Sequence, residues 1–175
     1  MERQKHGFTY ENYIIEKYNI IKSNGYTNKW DGFLNNIPCS IKTHKLGTGI
    51  ELADYFRNQE IKEDFYLFVG FWKEEKYNIV EEYCLKIIGD EYSQLFNKDC
   101  GIFFQKMITD ITNDKKDDLL WKDLMSQGKK LWEISTPNLI SPRFKRDHKN
   151  QKRIQCAITN KNFYKYFLPK YEVVI

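Results

Sequence analysis

Asp31 and Lys42 are the two residues of this sequence whose types and spacing best suit hydrolytic chemistry. They lie in two short segments, 29–34 (KWDGFL) and 37–43 (IPCSIKT), which are separated by the pair Asn35-Asn36. Two consecutive asparagines tolerate the positive φ angles of a two-residue hairpin turn. The sequence therefore predicts a β-hairpin with one of the two residues on each strand.

The register of this hairpin decides which side chains share a face. A two-residue loop makes the numbers of paired residues sum to 71, so Asp31 lies opposite Ser40 and diagonal to Lys42 on one face. Cys39 and Ile41 alternate with these residues and occupy the other face. A carboxylate beside a lysine can bind a divalent metal and position a water or a phosphate. An exposed cross-strand ion pair is the alternative interpretation.

The elements around the hairpin are predicted from hydrophobic spacing. Residues 8–22 repeat apolar side chains every three or four positions, which is typical of an amphipathic helix. Glu11 lies on the apolar side of this helix and Glu16 points away from it. The run 64–72 (DFYLFVGFW) predicts a strand buried on both faces, and 77–96 predicts a further helix.

Asp31, the Ser40-Ile41-Lys42 triplet and the preceding helix resemble the PD-(D/E)xK nucleases, which include type II restriction endonucleases. In this superfamily a first acid on one strand precedes an acid-x-Lys motif on the neighbouring strand. The resemblance implies a restriction-endonuclease-like α/β fold, a mixed β-sheet flanked by helices. It also implies hydrolysis of double-stranded DNA with Mg²⁺ as cofactor, and Glu11 matches the glutamate that members carry on the first helix.

Ser40 departs from the pattern because it stands where the second acid is expected. Members with Ser-x-Lys draw that acid from the following helix, which the sequence predicts at 50–59. Glu51 and Asp54 are the two candidates, and their spacing of three residues would place them on one helix face. Glu51 is preferred because it lies at the helix N-terminus, closest to the end of the strand. The resemblance thus implies catalysis by Asp31, Lys42, Glu51 or Asp54, and Glu11, with Asp31, Glu51 and Glu11 as metal ligands.

Composition predicts one domain, because 175 residues with 41% hydrophobic content suffice for one sizeable core. We expect a single nuclease domain over 1–175, with a catalytic core at about 8–75 and a DNA-contacting segment at about 137–168. An alternating stretch at 154–158 predicts a strand within that segment. No apolar run approaches the ~20 residues of a membrane span, so we expect a cytoplasmic protein that has no membrane partner.

Basic residues concentrate near the end of the chain. Residues 141–175 carry nine Lys and Arg against two acidic residues, a net charge of +7 in a chain whose total is +4. Such a segment either contacts nucleic-acid phosphates or forms a solvated surface. The predicted DNA-binding residues, which include amides able to read base edges, are Arg143, Lys145, Arg146, Lys149, Asn150, Gln151, Lys152, Arg153 and Gln155.

Two other functions compete with the nuclease hypothesis. A non-catalytic nucleic-acid-binding protein, or an inactive nuclease relic, would retain the basic segment, and Ser40 would mark the lost activity. A His-metal nuclease is disfavoured because the segment 147–151 (DHKNQ) supplies only a fragment of the required motif. If the DNA target is palindromic, a homodimer is expected, since a two-fold target matches a two-fold protein.

Overall fold

The computed structural model describes residues 2–23, 28–74, 78–110, 118–146 and 152–173. The chain divides into two compact units. Unit 1 comprises residues 1–50, 62–90 and 160–175, and unit 2 comprises 51–61 and 91–159. The assignment of the whole chain to one nuclease domain stays a prediction.

Unit 1 is built on a mixed six-stranded sheet in the order β1-β2-β3-β5-β6-β9. Its first elements are the helix α1 and three antiparallel strands, and β3 then pairs in parallel with β5. The strands β6 and β9 continue the sheet with antiparallel pairing. The bounds are α1 Glu2–Tyr18, β1 Ile21–Lys22, β2 Gly32–Leu34, β3 Ile37–Lys45, β5 Phe65–Lys73, β6 Asn78–Ile87 and β9 Glu172–Val173.

Helices cover both faces of this sheet. Tyr10 and Ile14 of α1 pack with Cys39, Ile41 and Phe68 in one apolar cluster. The opposite face is covered on β5 and β6 by an aromatic ring of a C-terminal helical segment, which packs edge-to-face against one residue of each strand. That segment runs through α6 Asn160–Asn162, a π-helical turn Phe163–Phe167 and α7 Leu168–Tyr171.

Unit 2 contains a three-stranded sheet in the order β4-β8-β7, with helices packed against it. Phe144 on β7 packs against the rings of Phe104 and Trp121, which come from α4 and α5. Inside the unit, the Asn58 amide donates to the Leu52 carbonyl and accepts from the Tyr92 hydroxyl. The bounds are β4 Ile50–Asp54, α2 Tyr55–Gln59, α3 Gly89–Ser93, α4 Lys98–Asp110, α5 Asp118–Ile134, β7 Ile140–Arg146 and β8 Lys152–Ile158, where the first residue of β4 and the first two of α3 fall in unit 1.

The structure confirms an α/β fold with a mixed sheet flanked by helices and corrects three predicted elements. Residues 21–22 form β1 rather than the end of α1, and 50–54 form β4 rather than a helix. The predicted helix 77–96 is wrong, because its first ten described residues form β6 beside β5. Among the described residues, no helix is long and apolar enough to cross a membrane.

Candidate functional site

The β2–β3 hairpin has the predicted register. Gly32 pairs with Cys39 and Leu34 with Ile37, so paired residue numbers sum to 71. Asn35 and Asn36 have φ angles of 50° and 65°, the left-handed values that a two-residue hairpin turn requires. Asp31 directly precedes β2, and its backbone N–H donates to the Cys39 carbonyl at 2.9 Å. The strands therefore bring Asp31 to the start of the motif 40–42.

The carboxylate of Asp31 contacts both the backbone and the side chain of the neighbouring strand. Its Oδ2 accepts from the backbone N–H of Ile41 at 2.6 Å and from Lys42 Nζ at 3.3 Å. The side chains of Asp31 and Lys42 are 28% and 24% exposed. No hydrogen bond of the other oxygen, Oδ1, is found among the described residues, so one carboxylate oxygen is fixed and one is available to a ligand.

Contacts of the segment before β2 position Asp31. Lys29 Nζ forms an ion pair with Glu63 at 2.6 Å, and Trp30 Nε1 donates to the same oxygen at 3.3 Å. The Trp30 ring also packs on Phe65, with 4.9 Å between ring centroids. These contacts tie the two residues before Asp31 to the start of β5, which limits the movement of the carboxylate.

Asp31 and Lys42 lie at the face of the sheet that α1 does not cover. Cys39 and Ile41 belong to the cluster packed under α1, and side chains alternate along a strand, so Ser40 and Lys42 lie on the opposite face. Lys42 pairs with Val69 of β5, which shares that face. Ser40 and Lys42 are partly exposed at the β2–β3 end of this face, whereas Val69 is fully buried. Ser40 occupies the position at which the resemblance implies an acid.

Glu11 lies on the α1 side of the sheet. The prediction that it lies toward the apolar side of α1 and that Glu16 is exposed agrees with the structure, since the Glu11 side chain is 19% exposed. Its partner is Lys22 of β1, whose Nζ lies 3.0 Å from Glu11 Oε1. This ion pair satisfies the carboxylate, and a metal-binding role for Glu11 stays a prediction.

The two candidates for the second acid belong to unit 2 and do not share a helix face. Glu51 is in β4, with its side chain 50% exposed and paired with Lys145 at 2.9 Å. Asp54 caps α2 by accepting from the backbone N–H of Arg57 at 2.8 Å. The predicted position of Glu51 at a helix N-terminus is wrong, because Ile50 and Leu52 are buried alternately with it, as in a strand.

The side chains of the described residues do not form a complete set of metal ligands. No group of three or more His, Cys, Asp or Glu side chains arranged for a metal occurs in the described part of the chain. Mg²⁺, however, commonly binds through one or two carboxylates together with waters and substrate phosphates. Asp31 Oδ1 fits an ion of that kind and would supply one of its ligands.

The predicted DNA-binding residues that the structure describes lie on one face of the β7–β8 hairpin. Arg143 pairs with Gln155 and Lys145 pairs with Arg153, and directly opposed residues of antiparallel strands share a face. Arg143 and Arg153 are exposed, whereas the Gln155 Oε1 is buried. We call the surface formed by Arg143, Lys145 and Arg153 the basic strand face.

The remaining predicted DNA contacts cannot be assigned to this face from their side chains. Arg146 and Lys152 lie at the strand ends, where their backbones pair with each other, and their side chains lie outside what the structure describes. Lys149, Asn150 and Gln151 also lie outside the described residues. The basic strand face thus comprises three of the predicted contacts, and one of them is partly neutralised by Glu51.

Sequence spacing gave no indication of two contacts that matter for these sites. Glu63, which holds Lys29 and Trp30, lies more than thirty residues from both. Glu51 and Lys145 are separated by 94 positions. Lys29 and Trp30, the two residues before Asp31, have side chains able to form an ion pair and a hydrogen bond. The sequence does not indicate that Glu63 is their partner.

Comparison with known proteins adds no family to this description. No protein-family model, no curated protein and no solved structure matches the chain. The features of this chain that bear on its function are therefore the β2–β3 hairpin, the basic strand face, and the resemblance of Asp31 and the Ser40-Ile41-Lys42 triplet to the nuclease motif.

Glu63→Gln tests the contacts that position Asp31. Partial burial alone would raise the pKa of Glu63, but hydrogen bonds from Lys29 and from backbone N–H groups lower that pKa to about 2. The ionised Glu63 carboxylate therefore stabilises the fold at pH values above its ordinary pKa of 4.5. This stabilisation is lost as the pH falls toward 2, where the carboxylate becomes protonated in the folded protein. Because Glu63 is exposed, the variant should lose only about 0.5–1 kcal/mol of unfolding free energy.

Urea denaturation at pH 6 and pH 3 measures this effect. The free-energy difference between wild type and Glu63→Gln should be smaller at pH 3. Glu16→Gln, at an exposed position of α1, is the matched control and should show little difference at either pH. A Glu63→Gln difference that stays constant or grows toward pH 3 would contradict the ion-pair assignment.

Proposed function

We propose that this protein is a metal-dependent endonuclease that hydrolyses phosphodiester bonds of double-stranded DNA, related to the PD-(D/E)xK nucleases. The observation that supports this most strongly is the position of Asp31 and Lys42. They meet on one hairpin that follows a helix, in the order that the resemblance implies, with 3.3 Å between Lys42 Nζ and Asp31 Oδ2. A restriction-endonuclease-like fold and a restriction function are part of the same proposal.

The residues of the hairpin would have separate roles. The backbone N–H of Ile41 fixes the carboxylate of Asp31, so that its other oxygen faces substrate or a metal ion. The ammonium of Lys42 is partly exposed and can bind a non-bridging phosphate oxygen or the attacking water. Placing positive charge where negative charge develops is the main electrostatic requirement of phosphodiester hydrolysis.

Mg²⁺, when bound through Asp31, would stabilise charge on the phosphate and the leaving oxygen. Asp31 is the only ligand that we assign to it, because Glu11 is paired with Lys22 and Glu51 with Lys145. Water and phosphate oxygens would complete the coordination.

The basic strand face would supply affinity for the DNA backbone. Arg143 and Arg153 are exposed on it, and arginine contacts to phosphate release counterions, which favours binding at low salt. A homodimer would let two such faces contact a palindromic target.

A nucleic-acid-binding protein without nuclease activity is the second candidate. It is favoured by Ser40 in the place of the second acid and by the lack of a three-acid cluster among the described residues. The basic strand face would serve that function unchanged. Both candidates bind DNA, so binding alone does not separate them.

Incubation of the purified protein with long duplex DNA and Mg²⁺ separates the two candidates. Discrete fragments would support a restriction endonuclease, and a smear would support a nuclease without sequence preference. Retention of DNA in a gel-shift assay with no cleavage in Mg²⁺ or Mn²⁺ would reject the nuclease and support the binding protein. EDTA should stop any cleavage that depends on the metal.

Glu51→Gln tests whether this acid is an ion-pair partner or the second metal ligand. Removing its charge frees Lys145 on the basic strand face, so DNA affinity measured in EDTA should rise by about threefold. Fluorescence anisotropy with a labelled duplex measures the affinity, and plasmid cleavage is measured in parallel. Cleavage reduced by about 100-fold or more at unchanged affinity would instead assign Glu51 to the metal.

A further inference from the structure

The β1–β2–β3 end of the unit 1 sheet carries three apolar side chains in register. Ile21 of β1 pairs with Phe33 of β2, and Phe33 pairs with Pro38 of β3, so the three share a face. The neighbouring residues Leu34 and Cys39 belong to the cluster packed under α1. Side chains alternate along a strand, so the three lie on the face that α1 does not cover. We call Ile21, Phe33 and Pro38 the apolar row.

The apolar row is open to solvent. Ile21 is 69% exposed and Phe33 is 37% exposed, and Pro38 is partly buried. Single exposed apolar side chains are ordinary on soluble proteins, whereas contiguous ones mark surfaces that contact another molecule. Because the three side chains are adjacent on three strands, they form a continuous surface rather than scattered positions.

The apolar row is next to the charged pair of the candidate site. Asp31 lies two positions before Phe33, so about 7 Å separates their Cα atoms and their side chains share a face. The backbone N–H of Asp31 donates to the Cys39 carbonyl, which keeps this stretch in the register of the hairpin. Lys42 Nζ lies 3.3 Å from Asp31 Oδ2, so the ammonium is also at this position of the face. A phosphate bound by the pair therefore has the apolar row as its neighbour.

Charge followed by apolar surface matches the two parts of one nucleotide. The phosphate carries the negative charge, and the base beside it has a flat π-face that stacks on aromatic rings. The apolar row crosses two inter-strand spacings, a length of about 9–10 Å. A surface of this length, with a phenylalanine at its centre, can hold the face of one base.

A second copy of the chain fits this surface less well. A stable protein interface buries about 800 Å² on each partner. Three side chains supply much less than this area, since two of them are more than half buried. A protein seated on the apolar row would also cover the Asp31–Lys42 pair, which the proposed function requires to be accessible to DNA.

We propose that Phe33, flanked by Ile21 and Pro38, stacks on an unpaired nucleobase next to the phosphate bound by Asp31 and Lys42. Inside a duplex, neighbouring bases cover the faces of each base, and only its edges are accessible in the grooves. The base must therefore leave the stack, which costs least where it is mismatched or already unpaired. The inference rests on the proposed function and names its substrate class: duplex DNA with an unpaired nucleotide at the cleaved phosphate.

Binding of labelled duplexes in Ca²⁺ tests the stacking contact without cleavage. Three duplexes of one sequence are compared: one fully paired, one with a central bulged nucleotide, and one with the same bulge lacking its base. Wild type should bind the bulge that has its base at least about fivefold more tightly than the bulge without it, because a base stacks on the ring of Phe33. Phe33→Ala should bind the two bulged duplexes equally, and Phe33→Trp, which keeps an aromatic ring, should retain the preference.

Two further variants separate the ring from apolar volume and from exposed aromatic surface in general. Phe33→Leu keeps an apolar side chain without a ring and should lose most of the preference, so full preference in this variant would overturn the stacking contact. Phe8→Ala removes an exposed phenylalanine from α1, which covers the other face of the sheet. It should bind all three duplexes as wild type does, and loss of the preference in this control would overturn the assignment to Phe33. Thermal unfolding shows that each variant is folded.

The outcomes distinguish this inference from the proposed nuclease function. DNA cleavage by a protein that binds the two bulged duplexes equally would overturn the inference alone. A preference that depends on Phe33, in a protein that cleaves no DNA with Mg²⁺ or Mn²⁺, would support the base contact and reject the nuclease.

Two other occupants of the apolar row have their own signatures. Equal weakening of both bulged duplexes by Phe33→Ala would place the ring on the sugar and overturn the assignment to a base. A wild-type dimer that Phe33→Ala converts to a monomer in sedimentation would assign the apolar row to a second copy of the chain and overturn the inference.

Discussion

Lys42→Ala is expected to lower the rate of DNA cleavage by about 100-fold or more, because it removes the ammonium placed to stabilise charge on the reacting phosphate. The fold should remain, since the Asp31–Lys42 pair is partly exposed and such pairs contribute only about 0–1 kcal/mol. Single-turnover cleavage of a labelled duplex measures the rate, and binding in Ca²⁺ measures affinity. A catalytic role predicts a large loss of rate with a small change in affinity.

Two further variants sharpen this result. Lys86→Ala removes an exposed lysine from β6 in the same sheet and should cleave at the wild-type rate. Asp31→Asn keeps an oxygen that can accept from Ile41 but loses the charge needed for Mg²⁺, so its residual activity should depend on the concentration of Mn²⁺. Cleavage by Lys42→Ala at the wild-type rate, or an equal loss in Lys86→Ala, would exclude Lys42 as a catalytic residue.

The hairpin could be predicted because its geometry is local. Asn35-Asn36 fixes the turn, the turn fixes the register, and the alternation of Cys39 and Ile41 with Ser40 and Lys42 decides the faces. The central strand β5 was also predicted from a local pattern, because the eight consecutive residues 65–72 are apolar, aromatic or glycine and favour a strand buried on both faces.

Elements that depend on distant partners were not predicted. In β6, Ile79, Val80, Tyr83 and Ile87 fit helical spacing, yet pairing with β5 stabilises a strand. The end of β6 did contain a strand pattern, since Leu85 and Ile87 are buried on either side of the exposed Lys86. When one segment fits both the helical and the strand spacing of apolar residues, its tertiary contacts decide which structure forms.

The candidate site shows the same division between local and distant information. Asp31 and Lys42 come together through one turn, so their contact followed from spacing. The partners of Glu11 and Glu51 are Lys22 and Lys145, and only the folded sheets bring those charges together. The sequence identified acids that could bind a metal, but it carried no information on which of them a lysine neutralises.

The double variant Arg143→Ala, Arg153→Ala is expected to weaken DNA binding by at least about tenfold at 0.1 M salt and to reduce the log–log slope of affinity against salt by about two. Both arginines are exposed, and the register places them on one face with Lys145. Each phosphate contact that is lost removes about one released counterion. Anisotropy titrations in Ca²⁺ from 50 to about 300 mM salt measure the slope while preventing cleavage.

A matched control is available in the same unit. Lys129→Ala, Lys130→Ala removes two exposed charges from α5, so it lowers the net charge equally without touching the basic strand face. Its slope should change much less, because counterion release requires contact with the phosphates rather than charge elsewhere on the protein. If an arginine also contacts guanine through two hydrogen bonds, the single variant should lose about 1–3 kcal/mol of discrimination between DNA sequences. Equal effects of the arginine and lysine pairs would show that binding follows net charge alone, and an effect confined to the lysine pair would place the DNA surface on α5.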